Sequence, residues 1–444
     1  MLDFKDRKLE DIDRLKFNLH LRAENKPARK FDWRNPEYAD GVPILARMPV
    51  SASDPNIKAT FNNFAVIMAK KAGYLAGNII RKYSDKITDA VKEKYKEFDT
   101  LNNTDTLYSE LMSSCAGWGN TYSLCYIDKP EGEVITENKI NYPIRIKEVS
   151  AWEAKIEYNR NKEPEKGYIY EIKKDNKIKV YEYDNLFVTE YIINISGRTE
   201  ETIGQYRHGF TEIPLVEWQN NKLCRGNAQN AVTLMDAYDR LMSDNITEWA
   251  TFRQAYLLLK GLGVVDLETK AEMQKTGVLV SPTETGEARF ITKDVNPEFV
   301  KYITEKTWKS IWIVAASIDP EAIGSLTNAT AFQIQQMYAN MEQDCKFTEQ
   351  TWMKSFEYLD RVLKSYWTGL DMSSVPDYST YDIDYEMIRT IPKDVMTYLK
   401  DLRIAGGQLP NAEILKQSGY DEQIAEDLAT RAADENIEML PNLA

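Results

Sequence analysis

Histidine, closely spaced cysteines and long apolar runs are all scarce in this chain of 444 residues. Only two histidines occur, His20 and His208, which argues against imidazole acid–base chemistry and against most histidine-ligated metal sites. Cysteines stand singly at positions 115, 125, 224 and 345, with no CxxC pair. Structural zinc needs clustered ligands and disulfide scaffolds are typical of small secreted chains, so we expect buried or idle thiols.

Membrane-spanning and leader segments are not indicated either. The runs FAVIMA and IWIVAA hold six apolar residues each, far fewer than the roughly 20 that cross a bilayer as a helix. The first residues, MLDFKDRKLEDIDRLKF, are charged throughout and lack the apolar stretch of a signal peptide. We therefore expect a soluble intracellular protein that has no membrane partner.

A basic surface, the usual mark of a nucleic-acid-binding protein, is not evident in the charge balance. The formal net charge is −13, and 43% apolar with 28% charged residues is typical of folded domains. Residues 371–444 carry 15 acidic and 6 basic side chains, so most of the negative charge lies in this tail. The length allows two or three domains.

Motifs of familiar enzyme classes are missing. The sequence contains no GxxxxGK[ST], HExxH or GxSxG, and no GxGxxG after a predicted strand. GWGN at 117–120 follows a predicted helix and precedes a strand, the wrong order for a dinucleotide-binding turn, so we interpret it as a helix stop. We therefore predict no enzymatic activity, no catalytic residue, no cofactor and no metal site.

Two weaker candidates for chemistry need an explanation. Asp382 and Asp384 in YDIDY lie two residues apart on one face of a predicted strand, a spacing that a two-metal nuclease could use. We favour a solvated strand edge, because no further clustered acids or positioned base are evident nearby. His208 precedes a glycine in a predicted β connection, and we favour a structural role in a turn.

Helical and strand patterns alternate in blocks along the first half. DPNIKATFNNFAVIMAKKAGYLAGN shows helical spacing of apolar residues, and a second helix is predicted in DTLYSELMSSCAGWGN, followed by a strand from about Thr121. Between Ile140 and Trp218 apolar and polar residues alternate in IRIKEV, AKIEYN, GYIYEIKK, KIKVYEY and LFVTEYII. This pattern predicts an antiparallel sheet with one face in contact with water.

Two long helical patterns flank a turn-rich segment. After Gly226 a stripe from Val232 to Leu259 predicts about 35 helical residues, ended by glycines at 261 and 263. A short helix (LETKAEMQ) and a hairpin around Pro282 and Gly286 are expected next. Asn296-Pro297-Glu298 then predicts a helix start, with the helix running to about residue 317.

The longest predicted helix covers residues 331–367. Thr330-Ala-Phe-Gln333 forms a capping-box pattern at its start. Its main apolar stripe runs from Ile334 to Tyr366, and further large apolar residues lie off the stripe. Because no single segment is large enough to enclose both long helices, we expect neighbouring subunits to cover part of them. YDIDYEMI predicts a strand, and short helices follow.

Five segments carry a family resemblance when taken in order. They are NNFAVIMAKKAGYLAGN, LNNTDTLYSELMSSCAGWGNTYSLCYID, FTEIPLVEWQNN with the following NAVTLMDAYDRLMSDNITEWATFRQAYLLLKG, SLTNATAFQIQQMYANMEQ, and PKDVMTYLKDLRIAGGQLPNAEILKQSGYDEQIAEDLATRAADE. Together they resemble the portal proteins of tailed bacteriophages, specifically the SPP1-type siphophage portal family, over roughly residues 30–440. One departure is that the family often has glycine where Ala329 or Thr330 stands here.

The resemblance implies an α+β portal fold that forms a ring, with a β-rich wing, two stem helices around a small α/β clip, a long wing helix and a helical crown. The implied segments are an N-terminal arm (1–29), wing (30–225), first stem helix (226–260), clip (261–293), second stem helix (294–318), tunnel loop (319–330), long wing helix with a strand (331–394) and crown (395–444).

The resemblance also implies a function and candidate contact residues. A ring of about twelve subunits would sit at one capsid vertex of the virion, after assembly in the host cytoplasm, and pass double-stranded DNA during packaging and ejection. Its implied partners are the terminase large subunit, a head-completion or adaptor protein, and the major capsid and scaffolding proteins. The DNA-facing tunnel loop would contain Ile323, Gly324, Ser325, Leu326, Thr327 and Asn328. The clip residues expected to bind terminase or adaptor are Glu268, Lys270, Glu272, Lys275, Glu284, Glu287 and Arg289.

Lys301, Lys306 and Lys309 on the second stem helix are candidates for a channel-facing surface. A solvated helix face is the favoured explanation of this cluster, and contact with the phosphate backbone is the alternative. Two other functions stay open. One is a different ring-forming head–tail adaptor or minor head protein, and the less favoured one is a metal-dependent nuclease built on Asp382 and Asp384.

Overall fold

The computed structural model describes residues 44–45, 47–49, 55–129, 142–151, 153–173, 177–194, 199–252, 256–260, 287–291, 297–324, 331–369 and 375–389. The expected N-terminal arm and crown, and most of the expected clip, lie outside these described residues. Helices and antiparallel sheets combine in one chain, which confirms the α+β class. None of the helices in the described part is long and apolar enough to cross a membrane.

Three helices and a strand open the described chain: α1 (Asn63–Leu75), β1 (Ile79–Tyr83), α2 (Asp89–Asn102) and α3 (Thr104–Trp118). The side chain of Asn62 caps α1 by accepting the N–H of Ala65 at 3.3 Å. α1 and α3 confirm the two predicted early helices. β1 and α2 were not predicted. The apolar pattern of α2 is weak, because this helix buries only Val91, Tyr95 and Phe98 among charged neighbours.

Two antiparallel sheets follow. One has the order β3-β2-β9, with β2 (Asn120–Ile127) between β3 (Ile144–Val149) and β9 (Leu215–Gln219). The other is a five-stranded meander in chain order. Its strands are β4 (Ala154–Tyr158), β5 (Pro164–Lys173), β6 (Lys177–Tyr183), β7 (Phe187–Asn194) and β8 (Thr199–Arg207). The meander confirms the predicted alternation, and β8 is a strand that the pattern did not predict.

Both faces of the meander contribute to buried apolar clusters, so they differ less than the alternation predicts. One face buries a cluster of six apolar side chains: Tyr168, Tyr170, Ile178, Val180, Tyr191 and Ile193. The opposite face of β6 and β7 carries half-buried charges, among them the ion pair of Lys179 with Glu190 at 2.8 Å. The opposite face also buries Ala154, Ile156, Tyr183 and Val188, and Glu182 on the first face is 4% exposed. The period of two therefore sets which residues share a face, but it does not divide the sheet into one apolar face and one face in contact with water as predicted.

The first predicted stem helix is shorter than expected. After the single turn α4 (Asn227–Asn230), α5 covers Val232–Phe252, and the chain then forms β10 (Tyr256–Lys260). The prediction that the helix extends to residue 260 is therefore wrong. The run Tyr-Leu-Leu-Leu-Lys fits a helix or a strand, and antiparallel pairing with a later segment decides for the strand.

That partner is β11 (Glu287–Ile291), with Tyr256 opposite Ile291 and Lys260 opposite Glu287. The hairpin predicted around Pro282 and Gly286, within the clip, is not covered by the described residues. The paired strands β10 and β11 flank residues 261–286, so the β-ladder joins the two ends of the expected clip. The predicted helix LETKAEMQ lies outside the described residues.

The second stem helix, α6, covers Pro297–Val314, so it begins with proline at its first position as predicted. It ends before residue 317, because Ala316 adopts φ +49° and the N–H of Ser317 donates to the carbonyl of Trp312 at 2.9 Å. The expected tunnel loop then begins with another helix, α7 (Pro320–Gly324). Residues 320–324 are therefore helical, which corrects the prediction of a loop over 319–330.

A single long helix, α8 (Ala331–Trp367), has the predicted bounds. Its stripe packs into the main core against α3 and β9, where Trp352 and Phe356 are fully buried beside Trp218. The chain then passes through a single 3₁₀ turn (Thr380–Asp382) into β12 (Ile383–Met387), which pairs antiparallel with β1. The predicted strand in YDIDYEMI is thereby confirmed.

Candidate functional site

A buried lysine lies where α1, β9, α4 and α8 meet. Lys71 on α1 is 3% exposed, and its Nζ forms an ion pair with Asp344 Oδ2 at 2.6 Å. The same Nζ lies 2.7 Å from Asn220 Oδ1, 2.9 Å from Asn227 Oδ1 and 2.8 Å from Thr348 Oγ1. An ammonium has three donors, so these acceptors saturate it, as a buried charge requires. We call these five residues the lysine hub.

The acceptors of the lysine hub are held in place by each other. Asn227 Nδ2 donates to Asp344 Oδ2 at 2.8 Å and to the carbonyl of Ala315, just after α6, at 3.0 Å. Thr348 Oγ1 donates to the carbonyl of Asn220 at 2.8 Å. The hub therefore joins α1, the end of the three-stranded sheet, α4, the residue after α6, and α8.

Close backbone contact at the same junction requires two glycines. Gly119 has φ +93°, and a Cβ there would lie 2.0 Å from the carbonyl oxygen of Cys224. A Cβ at Gly226 would lie 2.1 Å from the carbonyl oxygen of Gly117. No side chain fits at either position, so the turn after α3 and the turn before α4 touch through main chain alone. This junction positions the start of the stem.

The first half of α5 packs against the second half of α6 through aromatic side chains. Tyr238 of α5 and Trp308 of α6 have ring centroids 5.3 Å apart, and Trp308 lies 5.4 Å from Trp312. Towards the C-terminal end of α5 an open groove of about 430 Å³ separates the helices. Its lining includes Met242 and Trp249 from α5 with Val300 and Thr304 from α6.

The outward side of α6 carries an unexpected stripe. Three large apolar side chains are exposed there, Phe299 at 63%, Tyr302 at 62% and Ile313 at 66%. Lys306 and Lys309, also exposed, complete a spacing of three, four, three and four residues, which keeps all five on one helix face. We call this set the α6 stripe. A face in contact only with water does not usually carry such a row of apolar residues.

Comparison with protein families decides the assignment. The family described as "Phage portal protein, SPP1 Gp6-like" matches residues 44–438. The chain belongs to this family of phage portal proteins. The resemblance seen in the sequence is therefore confirmed, and the described helices and sheets are those of a portal protein subunit.

Solved structures give weaker likenesses. One chain, from "Neck of empty GTA particle computed with C6 symmetry", is 14% identical, with a TM-score of 0.47, over 81% of this chain and 90% of that chain. Another, from "Virion of native gene transfer agent (GTA) particle", is 13% identical, with a TM-score of 0.40, over 81% of this chain and 89% of that chain. Comparison with curated proteins gave no significant match.

The residues expected in the tunnel loop and the clip are only partly described. Ile323 and Gly324 are the last residues of α7, whereas residues 325–328 lie outside the described part. Glu287 and Arg289 lie on β11, opposite Lys260 and Leu258. The other expected clip residues lie outside the described part: Glu268, Lys270, Glu272, Lys275 and Glu284.

The lysine candidates on α6 are all exposed. Lys301 lies 3.8 Å from Glu305 on the same helix and lines the groove beside α5. Lys306 and Lys309 belong to the α6 stripe. The structure thus separates Lys301 from the other two, although the sequence grouped all three.

The aspartate pair of the nuclease hypothesis is not arranged as predicted. Asp382 lies in the 3₁₀ turn and forms an ion pair with Lys86 at 3.2 Å, whereas Asp384 lies on β12 opposite Lys82. They do not share one strand face, because the turn precedes the strand. Among the described residues, no group of three or more His, Cys, Asp and Glu side chains could hold a metal ion.

His208 and the cysteines have structural surroundings. His208 is 8% exposed; its Nε2 donates to the carbonyl of Asp184 at 2.9 Å and its Nδ1 accepts the N–H of Phe210 at 3.2 Å. Burial lowers the pKa of His208, so the ring stays neutral. All four cysteines are free, and three are buried. Burial raises the pKa of the partly exposed Cys224 to about 11, which keeps it a thiol.

A second polar cluster was not predicted from the sequence. Arg81 on β1 forms an ion pair with Asp99, and its Nε donates to Tyr385 Oη at 2.9 Å. Tyr385 Oη in turn donates to Asp360 Oδ1 of α8 at 2.8 Å. Asp360 is 1% exposed, and burial raises its pKa to about 7. This cluster fixes β1 and β12 against α8.

Proposed function

We propose that this chain forms a ring at one vertex of a phage capsid, through which double-stranded DNA is packaged and later ejected. The single observation that carries the proposal is membership of the portal family over residues 44–438. The subunit would act as a mechanical conduit, with the energy for packaging supplied by a separate motor. Its place would be the virion, after assembly in the host cytoplasm.

The ring would be closed by the stem. Trp249 on α5 is 70% exposed, and the α6 stripe adds three more exposed apolar residues. Monomeric proteins rarely expose such a concentration of apolar side chains. A neighbouring subunit, repeated around a closed ring of about twelve copies by carry-over from the family, would cover them.

The channel would be lined by loops that do not hold DNA tightly. Residues 323–328, Ile-Gly-Ser-Leu-Thr-Asn, carry no charge, and an uncharged lining releases few counterions on contact with phosphate. Lys301, Lys306 and Lys309 would be the cationic exceptions on the stem. We propose the segment 319–330 as the DNA-facing tunnel, with α7 as its helical start.

The clip would dock the proteins that act on the portal in turn. The β10–β11 ladder supports a clip held at its base by a two-stranded sheet, and the charged residues from Glu268 to Arg289 would face the partners. These partners would be the terminase large subunit during packaging and a head-completion or adaptor protein afterwards. Major capsid and scaffolding proteins would contact the rest of the ring.

Electron microscopy and native mass spectrometry of the purified protein test the ring. We expect particles of about twelve subunits with a central hole, and loss of assembly in Tyr302→Asp. The matched control is Tyr381→Asp, because Tyr381 is 79% exposed but lies outside the stem. A wild-type protein that is monomeric under all conditions would refute the proposal.

Packaging assays test the channel and the clip separately. Replacing Ser325 and Thr327 by lysine should slow packaging most at low salt, since added cations strengthen phosphate contact. Deleting residues 264–292 removes β11 as well as the clip, so the cleaner deletion is 264–284. It should spare ring assembly and abolish terminase binding. Loss of assembly would show that the clip is misplaced.

The alternative adaptor or minor head protein would also form rings. Two long helices on either side of the β10–β11 ladder support the portal over that alternative. Terminase binding to the isolated ring distinguishes them, because an adaptor that joins after packaging would not bind terminase. The nuclease alternative predicts Mg²⁺-dependent DNA cleavage that is lost in Asp382→Ala.

A further inference from the structure

A segment before α1 lies along α5 and is held by a row of hydrogen bonds and, at Phe61, by ring contact with Tyr238 at 5.1 Å. Residues 57–61 follow the helix in the opposite direction, so that Phe61 lies at Asp239 and Ile57 at Thr247. The main-chain N–H of Phe61 donates to Asp239 Oδ1 at 3.1 Å, and that of Ile57 to Thr247 Oγ1 at 3.1 Å. We call residues 57–61 the strap.

The central contact of the strap is reciprocal. The N–H of Ala59 donates to Ser243 Oγ at 2.9 Å, and Ser243 Oγ donates to the carbonyl of Ala59 at 3.1 Å. Ser243 thus pairs with the main chain as an adjacent β-strand would. Ser243 is fully buried and Asp239 is 2% exposed, so their hydrogen bonds to the strap are shielded from water.

The repeat distances of a helix and an extended chain explain why three successive residues of α5 can form hydrogen bonds to the strap. Asp239, Ser243 and Thr247 are four residues apart, which is about 6 Å along a helix. Alternate residues of an extended chain are about 6.7 Å apart. Positions 57, 59 and 61 can therefore meet successive side chains of one helix face with little distortion.

Arg47 reinforces the far end of the strap. Its guanidinium forms an ion pair with Asp244, and Nη2 donates to the carbonyl of Ile57 at 2.9 Å and to Thr247 Oγ1 at 3.1 Å. Its Nε donates to Asn56 Oδ1 at 2.8 Å. The contacts thus continue to the part of α5 that lines the groove of about 430 Å³ beside α6.

We propose that the strap is a brace that holds the C-terminal half of α5 in position relative to α1 and the core behind it. At its other end the strap leads directly into α1, which carries Lys71 and packs in the core. Movement of α1 would therefore be passed to the far half of α5 through three side-chain contacts. The inference does not depend on the proposed function.

Hydrogen exchange measured by mass spectrometry on the full-length protein tests the brace. The test variant is Ser243→Ala combined with Thr247→Val, which removes both hydroxyls and keeps helix-compatible residues. We expect exchange of the amides of residues 57–61 to rise roughly 5- to 30-fold, as the loss of two hydrogen bonds implies. Exchange in residues 244–252 should rise with it, while α6 stays unchanged.

Thr304→Val is the matched control. Thr304 Oγ1 donates to the carbonyl of Val300 on its own helix at 2.8 Å, so the control removes a stem hydroxyl of the same chemistry without touching the strap. A second variant, Arg47→Ala, should raise exchange in residues 244–252 without altering any residue of α5. If residues 57–61 lose protection and residues 244–252 do not, the strap only covers the helix and the proposal is wrong. Fast exchange of residues 57–61 in the wild type would also overturn it.

Discussion

Replacing Lys71 tests whether the lysine hub holds the wing, the stem and α8 together. Lys71→Met keeps the aliphatic part of the side chain and removes the ammonium. Asp344, which is 24% exposed, then loses its ion-pair partner, and Asn220, Asn227 and Thr348 lose a shared donor. The variant therefore leaves several buried acceptors without the charge that they surround.

The magnitude follows from that loss. Removing one partner of a buried ion pair costs about 3–5 kcal/mol, and the partial exposure of Asp344 favours the lower end of that range. For a chain of 444 residues, with an unfolding entropy of about 2.1 cal/mol/K per residue, we expect the thermal midpoint to fall by roughly 3–5 °C. Because Asn227 of the hub also donates to the carbonyl of Ala315, the residue after α6, we expect weaker ring assembly as well.

Lys70→Met is the matched control, because it makes the same change one residue away. Lys70 is half-buried, and its Nζ donates to the carbonyl of Ile318 at 2.8 Å and lies 5.2 Å from the centroid of Trp312. We expect a cost of only about 1 kcal/mol. Differential scanning calorimetry gives the comparison, and equal midpoints for Lys71→Met and Lys70→Met would refute the role of the hub. A double variant with Asp344→Asn should cost less than the sum of the single changes.

Three further predictions address other parts of the subunit. The carboxyl of Asp360 has a pKa of 3.8 in the unfolded chain and about 7 in the folded protein, so it stabilises the fold fully below pH 3.8 and loses this effect as the pH rises through about 7. Between pH 5 and 8 the free energy of unfolding of the wild type should therefore fall by roughly 3 kcal/mol relative to that of Asp360→Asn, measured by thermal unfolding at each pH. Gly119→Ala should lower the free energy of unfolding by roughly 2–4 kcal/mol, because the backbone has φ +93° and a Cβ would collide with the carbonyl of Cys224. Gly73→Ala is the matched control inside α1, where a Cβ would meet open space, and it should raise the free energy of unfolding by about 1 kcal/mol. Lys306→Glu with Lys309→Glu should weaken packaging if the pair faces DNA, and should disrupt rings without DNA if the α6 stripe meets a neighbouring subunit.

The regular elements could be predicted where local signals were strong. The capping box at Thr330 and the long apolar stripe predicted both ends of α8, and Asn296-Pro297-Glu298 predicted the start of α6. The same reasoning could have found α7. Asp319-Pro320-Glu321 repeats the pattern, and Asp319 Oδ1 accepts the N–H of Glu321 at 3.0 Å.

Elements decided by distant pairing could not be predicted in the same way. The five residues of β10 continue the helical stripe of α5, and only β11, paired with them across residues 261–286, makes them a strand. The strand β1 has a similar origin, because its partner β12 lies some 300 residues later. In apolar runs as short as five residues, the spacing of apolar residues does not distinguish a helix from a strand.

The candidate sites show the same limit. Two adjacent lysines in a helix, as at Lys70 and Lys71, usually indicate a solvent-exposed face. The acceptors that bury Lys71 lie 149 to 277 residues away in the sequence, so no local pattern indicates them. The contact residues of the tunnel and clip came from family resemblance, and most of them lie outside the described residues. The α6 stripe was visible as a spacing of Phe299, Tyr302 and Ile313, but only their exposure shows that it faces outward.

Burial differs between the two parts of the subunit, and this difference has a consequence for assembly. Around α1, α3 and α8 the largest aromatic residues, such as Trp218 and Trp352, are fully buried, and the buried charge of Lys71 is paired. On α5 and α6, Trp249 and Phe299 are mostly exposed. The elements around α1, α3 and α8 therefore bury their largest aromatic residues within one chain, while α5 and α6 leave two of theirs exposed. Association stabilises only what it buries, so dilution of the assembled protein should lower the stability of α5 and α6 and leave α1, α3 and α8 unchanged, as hydrogen exchange at two protein concentrations would show.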